Sequence, residues 1–264
     1  MSNPKLPIKD IAKLKSNITS ITEKIEILKC SKPKYFSRTT RKVFDKFAEE
    51  TKDWNHEKAL YVDNEGNILW EKEGNTNSVS LDERLAWKIS DPHDTSWHQG
   101  EGIGYGQINI EHNHPTIPGF EAFPPVLSIG DTSKLLSYSN DGYLFRSITA
   151  ESNGKRMSLI RSPNINAETS MYNGEFDYKG YRQASEHLDR AIDKYIKMYG
   201  DKLSELNNIP PDELKTKIGN GQIKTSYDMS QQALDEIGSL QSFLDSEGVT
   251  KELEDVGVNI LLEE

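Results

Sequence analysis

Cysteine is almost missing from this chain: Cys30 is the only one in 264 residues. A lone cysteine excludes an intramolecular disulfide and a cysteine-rich structural zinc site, and it fits a reducing compartment. Long apolar runs are missing too, and mean hydropathy is -0.71, so no segment has the length and apolarity of a membrane-spanning helix. The chain opens without a secretory pattern, and the expectation is a cytoplasmic protein without a membrane partner. Positive charge is in short supply. Lys and Arg number 32 against 42 Asp and Glu, a net charge of -10, which argues against broad binding to a nucleic-acid backbone. Hydrophobic residues make up 34%, low for a compact globule, so some helices are expected to extend into solvent or to await a partner.

What is present divides into three parts, expected at residues 1–37, 38–162 and 163–264. In the first, Ile11, Leu14, Ile18, Ile21, Ile25 and Leu28 recur at heptad spacing within residues 7–29, a seam for packing along another helix. Its partner is either the chain's own C-terminal helices, a second copy in a homodimer, or a foreign helix. The middle part alternates helix and strand patterns, giving the expected fold class α/β (α+β), a mixed sheet flanked by helices. A helix is expected near 39–51, and strands near 58–63, 67–72, 103–113, 143–150 and 156–161, the last two joined as a hairpin through Asn153-Gly154. Residues 162–180 read as irregular. The last part reads as helical, with one helix over 181–199 stopped by Gly200, a start at Pro211-Asp212-Glu213, a long helix over 228–244, and an apolar tail from Val256 able to dock.

Chemistry concentrates in Ile110-Glu111-His112-Asn113-His114-Pro115 and, after a gap, Ser128-Ile129-Gly130-Asp131. Zinc takes imidazole nitrogen and carboxylate oxygen in tetrahedral geometry, and a catalytic site supplies three protein ligands. His112, His114 and Asp131 make that set. Histidines at i and i+2 point the same way on a strand, whereas on a helix they diverge by about 200°. The pair therefore belongs to a strand end, which Pro115 closes by removing a ladder donor. Asp131 opens a helical stretch for which Ser128 is a fitting N-cap, and its carboxylate also suits the first turn. Catalysis further needs a proton carrier and a donor to a developing oxyanion. Ser128 can be that donor. Glu57, before the apolar strand Ala59-Leu60-Tyr61-Val62, is the preferred base, with Glu65 and Glu71 as rivals.

The run His-x-His-Pro, then Ser-x-x-Asp, with a glutamate on an early strand, resembles the JAMM (JAB/MPN) metalloprotease family. The form His-Asn-His-Pro is similar to its prokaryotic and phage-type branches, including RadC-like proteins. The resemblance spans residues 45–162. It implies zinc held by His112, His114 and Asp131, with Glu57 as general acid/base and Ser128 as the intermediate-stabilising serine. The implied activity is hydrolysis of an amide, typically an isopeptide bond to ubiquitin or a ubiquitin-like protein, and the implied partner is a protein substrate, including phage or mobile-element proteins. Two other readings come from different classes. One is a catalytically silent JAMM-like scaffold for assembly, and the other is a RadC-like DNA-associated protein, which the acidity disfavours.

One departure from the family is the thirteen residues Pro115–Leu127 between His114 and Ser128, longer than the family's usual spacing. Four prolines and a glycine mark them as a loop, and loops tolerate extra length at small entropic cost. Phe120 and Phe123 within it either wall a substrate tail or pack the loop down. His93 and His98 lie in a polar stretch that reads as a surface loop or a lid, and His187 reads as an ordinary helix histidine.

Overall fold

A computed structural model describes residues 35–76, 78–79, 108–116, 120–136, 138–139, 142–143, 145–162, 177–219 and 227–263. The chain divides into two units, 1–37 and 38–264. The heptad seam, Cys30, His93, His98, residues 103–107 of the expected third strand and most of 162–180 lie outside the described residues.

The second unit is mixed α/β: a six-stranded mixed sheet with helices against it. Helix α1 (Arg38–Thr51) precedes β1 (Lys58–Val62) and β2 (Ile68–Glu73). Then come β3 (Ile108–Asn113), the short helix α2 (Ile129–Lys134), a small ribbon of β4 (Tyr138–Ser139) and β5 (Gly142–Tyr143), β6 (Phe145–Ser152) and β7 (Lys155–Arg161). The C-terminal part contributes α3 (Tyr178–Asn207), α4 (Pro211–Gly219), α5 (Tyr227–Ile237), α6 (Leu240–Ser246), α7 (Val249–Asp255) and β8 (Val258–Glu263). Among the described residues the sheet order is β2-β1-β3-β6-β7-β8, with β3 and β6 parallel and the other neighbours antiparallel. Among the described residues, no helix is long and apolar enough to cross a membrane.

Local chemistry explains the turns. Asn153 and Gly154 both take positive φ, 53° and 76°, the backbone of a two-residue hairpin between β6 and β7. At the β1–β2 turn the Asp63 carboxylate accepts the amides of Glu65 and Asn67. There Gly66 has φ 91°, and a Cβ on it would meet the Thr39 backbone at 2.8 Å, so this turn admits glycine only.

Alternation along the strands sorts the sheet into two faces. On one, the cross-strand row Tyr61, Ile110, Ile148 and Leu159 and the row Ala59, His112, Ala150 and Met157 lie against α3. The core joins them to Leu188, Tyr195, Tyr199 and Leu203 of α3 and to residues of α4 through α7. On the other face stand Asn109, Glu111 and Asn113 of β3 with Ser147, Thr149 and Glu151 of β6, all buried. Helix α1 covers that face and buries Phe44, Phe47 and Ala48. It is tied down by Arg156 to Asp45 at 2.9 Å and by Arg41 to Glu263 at 2.6 Å.

Three helical expectations change. Gly200 does not stop α3, which runs on to Asn207 and ends at Asn208 in the left-handed region, φ 54°, a helix-ending conformation that asparagine tolerates. The same helix starts at Tyr178, capped by Asp177, whose carboxylate accepts the Gly180 amide. The expected helix over 228–244 is two helices. Gly238 at φ 84° breaks it, and Ser239 caps the second by accepting the Ser242 amide. The apolar tail docks as β8 along β7.

Candidate metal centre

His112 is the next-to-last residue of β3 and is 1% exposed. The ladder continues one step past the strand, since the His114 amide donates to the Glu151 carbonyl at 2.7 Å. Both histidines are thereby held on one face. Their Nε2 atoms lie 3.0 Å apart, with ring centroids at 4.8 Å and planes inclined at 63°.

Asp131 comes from α2, whose start is a full capping box. Ser128 Oγ accepts the Asp131 amide at 3.2 Å, and the Asp131 carboxylate accepts the Ser128 amide at 2.8 Å. The Ser128 hydroxyl also donates to Asp131 Oδ2 at 2.7 Å. One carboxylate oxygen is thus fixed by Ser128 while the other, Oδ1, lies 3.5 Å from His112 Nε2. The helix is anchored by buried Thr132 and Leu135 and by the Tyr181 hydroxyl, which donates to the Thr132 carbonyl at 2.8 Å.

Three ligand atoms, one from each of His112, His114 and Asp131, lie within 4.8 Å of one another. In a tetrahedral site with zinc–ligand bonds near 2.05 Å, neighbouring ligand atoms sit about 3.3 Å apart. The 3.0 and 3.5 Å separations bracket that edge, so the group can hold a metal ion. Electrostatics agree. Burial opposes charge on His112, but Asp131, through charge and hydrogen bond, and then Glu57 and Glu111 overcome it and raise its pKa. Burial and the neighbouring His112 lower His114 to about 4. Burial works against the Asp131 carboxylate, yet His112 and Ser128 hold it well below its ordinary range. His112 Nδ1 is buried and meets no hydrogen-bond partner among the described residues.

Glu57 precedes β1, which pairs antiparallel to β3 with Ala59 opposite His112. Two residues before Ala59, it lies on the histidine face. Its backbone is pinned by the Asn75 carbonyl at 2.8 Å and the Gly74 amide at 2.7 Å. Burial raises its pKa and Asp131 adds to the rise, against the pull of His112. Its rivals sit elsewhere. Glu65 is in the β1–β2 turn, and Glu71 pairs with Lys58 at 2.8 Å. His187 is an ordinary helix histidine, bonded to Glu252 at 2.9 Å.

Two neighbours were not anticipated. Glu111, wholly buried on the opposite face from His112, pairs with Arg156 at 2.9 Å, and burial pushes its carboxyl up to about 8 against that guanidinium. A glutamate amid the strand-forming residues of 108–113 was the available signal. The second neighbour is an apolar cavity of about 630 Å³ that starts at His114 and runs between residues 115–116 and 120–126 and helices α3 and α4. No family model, no curated protein and no solved structure matches this chain.

Proposed function

We propose that this protein is a zinc-dependent metallopeptidase of JAMM-like type, hydrolysing an amide or isopeptide bond in a protein substrate that includes ubiquitin-like proteins. The observation that carries the reading is the convergence of ligand atoms of His112, His114 and Asp131 within 4.8 Å of one another, two of the separations being 3.0 and 3.5 Å, on the sheet face that Glu57 shares. Two nitrogens and one oxygen are a catalytic rather than a structural donor set, because they leave a fourth position open.

When bound, zinc supplies a lowered water pKa and polarisation of the scissile carbonyl. Glu57, its pKa raised by burial, takes the proton of the attacking water and returns it to the leaving amine, which in an isopeptide is a lysine side chain. Ser128 keeps Asp131 turned toward His112, and its hydroxyl would donate to the oxyanion once it swings from Asp131 Oδ2.

Elemental analysis of the purified protein with His112→Ala and His114→Ala is the test. Near-stoichiometric zinc is expected in the native chain and none in the variants. Glu57→Gln is expected to keep zinc and lose hydrolysis of a fluorogenic lysine isopeptide. Absence of zinc after incubation with it would replace the enzyme by a JAMM-like assembly scaffold, and full activity in Glu57→Gln would move the base to another residue. Ser128→Ala separates two roles: a slower rate at full metal content marks the oxyanion donor, and loss of metal marks the positioning of Asp131.

A further inference from the structure

Apart from His114, the cavity is built by parts of the chain outside the group that can hold a metal. One wall comes from residues 115–116 and 120–126, and it is a built wall. Phe123 packs on Tyr199 and Tyr195 with ring centroids at 4.8 and 5.7 Å, and Phe120 packs on Tyr199 at 5.0 Å. The Ala122 amide donates to Ser230 Oγ at 2.9 Å, the Ala122 carbonyl accepts from Lys155 Nζ at 2.6 Å, and Asn153 Nδ2 donates to the Glu121 carbonyl at 3.0 Å. The phenylalanines pack the segment onto α3, the second of the two alternatives, and they also line the cavity. The other wall comes from Ile196 and Leu203 of α3 and Leu214 and Ile218 of α4.

Gly200 lies in this wall. It sits inside a 30-residue helix, where glycine costs stability relative to alanine. A Cβ added there would meet nothing within 4 Å. Its missing side chain leaves the groove open where the helix would otherwise intrude. A volume near 630 Å³ is in the range of small-ligand sites, about 300–1,000 Å³. Within the otherwise apolar lining, Thr116, Lys197 and Asp201 offer donors and acceptors, which an extended peptide backbone needs and an acyl chain does not.

The geometry points to this groove as the substrate channel of the metal centre, taking an extended polypeptide segment whose apolar side chains flank the scissile amide, with Gly200 setting the channel's width. The assignment rests on the peptidase reading for its link to catalysis, and on the groove itself for binding.

The test uses the full chain carrying Glu57→Gln, with and without added zinc, and a fluorescein-labelled Ala-Leu-Leu-Leu-Ala amide read by anisotropy. Saturable binding is expected in both conditions, with the Ala-Ser-Ser-Ser-Ala counterpart failing to bind. Adding Gly200→Phe is expected to weaken binding by roughly tenfold or more with an unchanged or higher unfolding midpoint. Ile196→Glu, at a half-buried position, reads the same wall if the phenylalanine disturbs the helix. Equal binding by a folded Gly200→Phe protein, equal binding of the serine peptide, or preference for N-decanoylglycinamide would overturn the channel. Binding that Gly200→Phe blocks, in a chain that without Glu57→Gln hydrolyses no amide, would support the channel and overturn the peptidase reading, so the two fail separately.

Discussion

The two faces of β3 are both buried, yet they are made of opposite chemistry. Toward α3 stand Ile108, Ile110 and then His112; toward α1 stand Asn109, Glu111 and Asn113. The first face is held by burial of apolar area, which is non-directional and tolerates some repacking. The second is held by partners. Ser147 donates to Asn109 Oδ1 at 2.8 Å, Arg156 donates to Glu111 at 2.9 Å, and Asn113 accepts the Lys58 amide at 2.6 Å while donating to the His56 carbonyl at 3.1 Å. Buried polar groups are costly unless satisfied, so this network favours the observed register between β1, β3 and β6. That register sets Glu57, His112 and His114 on one face. A specific polar face thus positions a site that opens on the apolar one.

The largest break in this comparison is expected from Arg156→Ala. It strips Glu111 and Asp45 of their partner and should destabilise by about 3–5 kcal/mol in chemical denaturation wherever Glu111 is ionised. The pH dependence follows from Glu111 itself. Folded, it holds its proton up to about 8, against an ordinary 4.5, so its stabilising contribution is full below about pH 4.5 and is lost as pH rises through about 8. The unfolding midpoint of the native chain should therefore fall across that window. Glu111→Gln should flatten the fall, and a parallel fall in Glu111→Gln would assign it to another group.

On the apolar face, Ile110→Ala is expected to cost about 2–5 kcal/mol through lost burial and a residual cavity, with no change in the pH dependence of the midpoint. A cost under about 1 kcal/mol would mean that the face collapses freely and is less well packed than its full burial implies. The smallest effect is expected from Thr149→Val. It keeps shape but leaves the buried Ser158 hydroxyl without its 2.8 Å partner, a loss of about 1–3 kcal/mol in the same assay. A neutral result would show that Ser158 finds another acceptor and that the polar face is more adaptable than its bonds suggest.

Much of this was legible residue by residue. Helix α1, the strands β1, β2, β6 and β7 and the Asn153-Gly154 hairpin follow from alternation and turn chemistry. The pairing of His112 with His114 follows from strand geometry, and the Ser128–Asp131 box from capping preference. The misread helices have a simple cause. Gly200 and Gly238 are the same residue in similar patterns, yet one is carried inside α3 and the other breaks the run between α5 and α6. Helical spacing continues across both, and only the packing of α3 along the whole core distinguishes them.

By itself the sequence determined the helix at 38–51, the strands of the 58–73 and 145–161 hairpins, which turns need glycine or asparagine, and that two histidines share a face. These depend on steric and hydrogen-bonding preferences within a few residues. Tertiary structure alone decided that Asp131 of α2 approaches His112 to 3.5 Å, that Glu57 rather than Glu65 or Glu71 stands on the histidine face, that β3 pairs parallel with β6, and that α3 and α4 leave a groove beside His114. Those contacts join residues far apart in the chain. Their register is selected by burying one apolar face and satisfying one polar face at the same time, a condition on the whole fold that no local pattern carries.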